Sequence, residues 1–284
     1  MLESRAAALA SRSVKSSAKV QGIRLAIACT DLTTLEGKDS PGRIESLCAK
    51  AIAPRPGWPG IPSVAAVCVY PKFVAVAKAA LRGSTVKVAS VATAFPSGLS
   101  CRDVRMADVA TALDAGADEI DMVIDRGAFL SGREEDVFDD IAAVKGMCAD
   151  RSLKVILESA DLTTYDNVRR ASDLALEAGA DIIKTSTGKA GTSATFPIAL
   201  LMCEAIRDFA RRTGQRRGLK VAGGVRTTKQ AMAYLVIVKE TLGDDWLAPH
   251  RLRIGASSLV DDLLMQLEKA ATGHYSGLNY IPKD

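Results

Sequence analysis

A closed (β/α)8 barrel, α/β in class, is the fold this sequence predicts, and three observations predict it. Short β-branched runs alternate with longer amphipathic stretches, the alternation repeats eight times, and one phrase, a helix ending in AGAD that passes at once into a strand, occurs twice, in DAGADEIDM and EAGADIIKT. Eight βα units in about 260 residues match the size of a closed barrel, whereas a doubly wound sheet more often stops at five or six strands.

The strand candidates in order are IRLAIACT (23–30), SVAAVCVY (63–70), VKVASVATAF (86–95), DEIDMVID (118–125), LKVILESA (153–160), ADIIKTST (180–187), GLKVAGG (218–224) and RLRIGASS (251–258). Each is short, apolar and bounded by turn residues, as strands of a parallel sheet buried on both faces must be. Between them, ADVATALDAGA (107–117), EEDVFDDIAAVKGMCA (134–149), YDNVRRASDLALEAGA (165–180) and PIALLMCEAIRDFARRTG (197–214) repeat apolar positions every three to four residues. Gly116, Gly146, Gly179 and Gly214 fall near their ends, where a left-handed cap is needed, so they read as crossover helices. No proline- or serine-rich linker interrupts the units. The expected organisation is an N-terminal arm or capping segment over 1–20, one barrel domain over 21–272 and a C-terminal tail over 273–284.

With 48% hydrophobic and 25% charged residues, the composition is that of a soluble globular chain. The net charge of +4 comes from 37 basic and 33 acidic residues spread along the chain, so no concentrated basic face suits nucleic acid, while a small anionic substrate remains compatible. Six cysteines, Cys29, Cys48, Cys68, Cys101, Cys148 and Cys203, lack CxxC spacing and favour reduced thiols in a cytoplasmic compartment over disulfides or zinc ligation. No apolar run reaches the roughly 18 residues that span a bilayer. The opening MLESRAAALASRSVKSSAKV lacks the apolar core of a secretory signal; it is rich in Ser, Ala and basic residues, as transit peptides are, but carries Glu3 and is expected to form an arm or capping helix.

In such barrels the reacting groups stand at the C-terminal ends of strands. Lys184 in ADIIKTST, Lys220 in GLKVAGG and Asp121 in DEIDMVI are charges embedded in what should be buried strand. A structural ion pair is the plain reading of any one of them, because an isolated buried charge is costly. Two lysines and one aspartate converging from three strands change that balance. Repulsion disfavours protonating both amines, so one lysine should be neutral near pH 7, which is what a Schiff base requires. Glycine and hydroxyl residues form a second group, STGK (186–189), AGGVR (222–226) and IGASS (254–258). These can be three plain turns, but the loops after strands 7 and 8, leading into a short helix, are the usual phosphate cradle of the architecture. TSTGKAGTS lacks the upstream glycine of a P-loop, no GxGxxG follows a strand, and the only histidines, His250 and His274, leave little for a His-ligated metal or a His-based triad.

The segments TDLTTL (30–35), VCVYPKFV (67–74), ADEIDMVID (117–125), LKVILES (153–159), IIKTSTGK (182–189), ATFPIALLMCEAIRDF (194–209), KVAGGVRT (220–227) and RIGASSL (253–259) together resemble the deoxyribose-phosphate aldolases, from about residue 28 to 260. The resemblance implies reversible cleavage of 2-deoxy-D-ribose 5-phosphate into acetaldehyde and D-glyceraldehyde 3-phosphate, with neither metal nor organic cofactor. It implies that Lys184 forms the imine, that Lys220 lowers the pKa of Lys184, and that Lys220 shares a proton relay with Asp121. It further implies phosphate contacts from Gly188, Lys189, Gly223, Gly224, Gly255, Ser257 and Ser258, and substrate-hydroxyl contacts from Asp31, Thr33 and Thr187. Departures are Val221 where the family usually has Pro, Ser159 where it has Thr, and a tail ending TGHYSGLNYIPKD, in which Tyr275 or Tyr280 stands near where relatives place a tyrosine over the site. Cys68, in the VCVYP strand, can face the pocket or the core. Two rivals stay open: another phosphosugar barrel enzyme, transaldolase-like or isomerising, and a non-catalytic barrel that binds sugar phosphates. The expected partners are small sugar phosphates and aldehydes, without nucleic acid or membrane, and a homodimer or homotetramer is left open.

Overall fold

The computed structural model describes residues 1–191 and 194–274. Eight strands, β1 (Thr30–Thr33), β2 (Ala66–Val69), β3 (Lys87–Ala92), β4 (Glu119–Val123), β5 (Ser152–Ile156), β6 (Ile182–Lys184), β7 (Gly218–Ala222) and β8 (Leu252–Ala256), pair in parallel, each with the next. β1 also pairs with β8, setting Asp31 against Gly255, and this closes the barrel. The helices among the described residues are α1 (Leu2–Ala10), α2 (Ser16–Ala28), α3 (Pro41–Ile52), α4 (Val74–Ala80), α5 (Arg102–Asp114), α6 (Arg126–Leu130), α7 (Glu134–Cys148), α8 (Tyr165–Glu177), α9 (Phe196–Thr213), α10 (Thr228–Leu242) and α11 (Leu259–Thr272). None of these helices is long and apolar enough to cross a membrane.

Strand alternation sorts the core into two shells. Val67 and Val69 pack outward among the helices, whereas Ala66 and Cys68 of the same strand belong to a small inner cluster with Leu35, Ala89 and Val91. Local chemistry fixes where the crossover helices start. Thr195 caps α9 by accepting from Ile198 N–H, Pro197 sits in its first turn, and Gly214 ends it in the left-handed conformation. A reciprocal Thr227–Gln230 capping box opens α10.

The first strand is a correction. IRLAIACT was expected as strand, yet Ile23 to Ala28 is the last part of α2, and β1 begins only at Thr30. Ile23, Ala26 and Ile27 lie at helical spacing and are all fully buried, so a short apolar run that suits either period is settled by its packing against α10 and α11. The segment ahead of it is not a bare arm either. α1 packs on α9 and α10, with Ala6 fully buried and Arg5 paired to Glu204 at 2.6 Å. The tail tyrosines Tyr275 and Tyr280 lie outside the described residues.

Candidate active site

Lys184 is the last residue of the three-residue strand β6. Beyond it the chain leaves the sheet, and the hydroxyls of Thr185 and Ser186 donate to the Ala222 carbonyl at 2.7 and 2.6 Å, tying the ends of β6 and β7 together. In-register pairing sets Lys184 beside Lys220 and Asp121 beside Lys154. The three expected residues meet: Nζ of Lys184 and Nζ of Lys220 lie 2.8 and 2.7 Å from the same Oδ2 of Asp121.

The structure adds a continuation below them. Lys154 Nζ contacts Asp121 Oδ1 at 2.7 Å and Glu119 Oε2 at 2.6 Å, and Arg253 holds Glu119 at 2.6 Å and Asp31 at 2.7 Å. Lys154, Glu119 and Arg253 were missed in the sequence, although each is a charge inside an apolar run, the signal that singled out Lys184. Asp31 is placed differently from its expected contact with a substrate hydroxyl. It is fully buried, with one oxygen on Lys220 at 2.5 Å and the other on Arg253, and does not line the cleft.

Counting charges shows one cation too many, four basic groups against three carboxylates. Lys154, Lys220 and Arg253 match Asp31, Glu119 and Asp121 one for one, so a protonated Lys184 would add an uncompensated positive charge inside the barrel. Burial, and then the Lys220 ammonium, hold Lys184 below the ordinary lysine range despite Asp121. For Lys220, burial also opposes the charge, but Asp121 and Asp31 outweigh it and push the amine above that range. Burial disfavours charge on Asp121 as well, yet the ammonium groups beside it, Lys154 foremost, overcome it and hold the carboxyl well below the usual carboxylate range. Two ammonium groups about 5 Å apart repel by roughly 3 kcal/mol at an effective dielectric of about 20, enough to change a neutral fraction about a hundredfold. Cys68 faces this cluster from the inner shell, its Sγ 4.0 Å from Asp121 Oδ2, and burial pushes its thiol up.

Above Lys184 opens a cleft lined by Thr33, Thr187, Gly188, Lys189, Gly223, Gly224, Arg226, Gly255 and Ser257. Gly188, Gly223 and Gly224 have φ of +76°, +101° and +95°, which other residues adopt only at a cost, so their backbone can approach a ligand closely. Gly255 is needed for another reason: a Cβ there would sit 3.1 Å from Lys220 Cε and 3.0 Å from Ala222 Cβ. Lys189 reaches across the mouth to Glu36 at 2.8 Å. Arg226 adds a cation that the glycine-centred reading of AGGVR passed over. Ser258 stands outside the cleft lining as the N-cap of α11, a 14-residue helix that follows β8 directly in place of the short helix expected there.

A buried amine held below the ordinary lysine range, at the floor of an anion-receptive cleft, is equipment for carbonyl chemistry on a phosphorylated substrate. The comparisons agree, since the model of the family described as DeoC/LacD family aldolase matches residues 25–279. The chain belongs to the DeoC/LacD aldolase family. Its similarity to deoxyribose-phosphate aldolases reaches 43% identity with that of Mus musculus, over 96% of this chain and 89% of the relative. With that of Homo sapiens it is 42% over the same shares. The tetrameric deoxyribose phosphate aldolase of Aeropyrum pernix superposes with a TM-score of 0.65 at 22% identity, over 92% of this chain and 100% of the other, which speaks to the barrel alone. The aldolase QR15 gives a TM-score of 0.70 at 26% identity, covering 87% of this chain and 97% of its own. DeoC/LacD membership makes the protein an aldolase, and its barrel is the one the sequence predicts.

Proposed function

We propose that this aldolase cleaves 2-deoxy-D-ribose 5-phosphate reversibly into acetaldehyde and D-glyceraldehyde 3-phosphate through an imine on Lys184. The observation that carries the reading is one carboxylate oxygen, Asp121 Oδ2, shared by two lysines of which, among the described residues, only Lys220 has a second carboxylate partner. Neutral Lys184 attacks the substrate aldehyde carbon, and loss of water gives the iminium. The bond between C2 and C3 then breaks, its electron pair passing into the iminium as the C3 hydroxyl gives up its proton, which releases D-glyceraldehyde 3-phosphate. Protonation of the remaining enamine at C2 and hydrolysis release acetaldehyde and restore the amine. Asp121 is the carboxylate in contact with Nζ, and with Lys220 it takes up and returns these protons.

The relatives named deoxyribose-phosphate aldolase support this substrate, and so does the cleft, where backbone N–H groups around Gly188, Gly223, Gly224 and Ser257 and the cations Lys189 and Arg226 suit a phosphate. Thr33 and Thr187 line the same cleft as Lys184 and suit the hydroxyls of the sugar. Neither an isomerase nor a sugar-phosphate binder needs a neutral lysine amine. The free cysteines fit a cytoplasmic setting, and a homodimer or homotetramer stays open. Equimolar acetaldehyde and D-glyceraldehyde 3-phosphate, assayed with separate dehydrogenases, should appear from deoxyribose 5-phosphate. An isomerised sugar phosphate without acetaldehyde would instead select the isomerase reading. Ser257→Asp should raise KM for deoxyribose 5-phosphate about tenfold or more by charge repulsion, and leave the slow turnover of deoxyribose nearly unchanged; steady-state kinetics on both sugars check this.

A further inference from the structure

Glu158 has no part in the imine chemistry, yet it is held with unusual care. It is 1% exposed and lies just beyond β5 with a φ of +51°, a left-handed conformation that strains a side-chain-bearing residue. Backbone bonds on either side fix it there, Leu157 N–H to Lys184 O at 3.0 Å and Ser159 N–H to Thr185 O at 2.9 Å. Its Oε2 accepts from the Thr187 N–H at 3.1 Å and from the Thr187 hydroxyl. Its Oε1 is buried without a partner among the described residues.

A threonine hydroxyl has one hydrogen and two lone pairs. The hydrogen of Thr187 is committed to Glu158, and one lone pair receives the Lys189 N–H at 3.1 Å. What remains for the cleft that Thr187 lines is a single lone pair. We propose that Glu158 is a specificity-setting positioning residue: by holding that hydrogen it makes Thr187 an obligate acceptor, so the cleft selects substrates that present a hydroxyl donor there. The inference rests on the imine reading of the cleft. Along the chain Thr187 comes after Lys184 and just before Gly188 and Lys189, the residues assigned to phosphate, and all line one cleft, so we assign the hydroxyl it reads to the carbon next to the phosphate-bearing one. The Oε2 atom suits the task, since it accepts from the Thr187 N–H and hydroxyl together and so fixes both in one geometry.

The test runs the aldol addition of acetaldehyde to D-glyceraldehyde 3-phosphate and to 3-phosphooxypropanal, the same acceptor without that hydroxyl. The readout is the ratio of kcat/KM values, with borohydride trapping of acetaldehyde to verify the lysine in each variant. Wild type should favour the hydroxylated acceptor about tenfold or more, because a site built to bond a hydroxyl rejects the analogue lacking it. Thr187→Val should bring the ratio near one, and Thr187→Ser should restore it. Glu158→Leu frees the hydroxyl to rotate and should also collapse the ratio, while Glu158→Gln, whose amide oxygen can accept both bonds, should keep most of it. An unchanged ratio in Thr187→Val, or in folded Glu158→Leu, overturns the proposal. If Glu158→Leu does not fold, loss of the ratio in Glu158→Gln with retention in Thr187→Ser also overturns it. A wild type that condenses neither acceptor refutes the proposed reaction instead.

Discussion

Replacing Asp121 by Asn is expected to separate imine formation from turnover. Every lysine of the cluster touches this carboxylate: Lys154 on Oδ1, and Lys184 and Lys220 on Oδ2. An amide removes the negative charge, so Lys184 has even less reason to be protonated and remains a nucleophile. What disappears is the group in contact with Nζ that can accept and return protons. A positioned acid or base is worth about 10²–10⁴ in rate, and kcat for cleavage should fall by that order. The acetaldehyde adduct should still accumulate on Lys184 on longer incubation. Stability should fall as well, by about 3–5 kcal/mol, because Lys154 and Lys220 lose a buried partner. Turnover within tenfold of wild type in a folded variant would remove Asp121 from the proton path.

Lys220→Leu should move the pH profile rather than simply lower it. Lys184 is held below the ordinary lysine range by burial first and Lys220 second, and it reacts as the neutral amine, above its pKa. Removing the Lys220 charge lets that pKa rise towards about 10.4, so fewer amines are neutral at pH 7. Activity at pH 7 should drop about a hundredfold, and the acid limb of kcat/KM should shift to higher pH with partial recovery at alkaline pH. Lys220→Arg keeps a charge but cannot give up its proton, so the limb should stay nearer its native position while turnover suffers. An unshifted limb with near-native kcat in folded Lys220→Leu would reduce Lys220 to a structural ion-pair partner.

Most of the barrel was legible because parallel strands buried on both faces must be continuous apolar runs, and seven of the eight were found on that ground. β1 was displaced because Ile23, Ala26 and Ile27 satisfy helical and strand periods alike, and only their packing under α10 and α11 decides. In the site, Lys184, Lys220 and Asp121 stood out as charges inside β-branched runs, and so should Glu119, Lys154 and Arg253 have done. Their pairing was not legible. Asp31 meets Lys220 and Arg253 across 189 and 222 residues of chain, a proximity that only barrel closure creates. The left-handed turn at Glu158 carries no sequence signal at all, since neither glycine nor asparagine marks it. The glycine loops were readable as a group, but Gly255 serves partly to leave room for Lys220, which its motif does not disclose.

Everything proposed for this cluster turns on Lys184 being its neutral amine. The most direct measurement is incubation with deoxyribose 5-phosphate or acetaldehyde under borohydride, followed by proteolysis and mass mapping. Fixing the imine as a reduced two-carbon adduct on the peptide containing Lys184, with loss of activity in proportion to labelling, is the expected result. Labelling solely at Lys220, Lys154 or Lys189, or cleavage that proceeds with no trappable adduct, would contradict it.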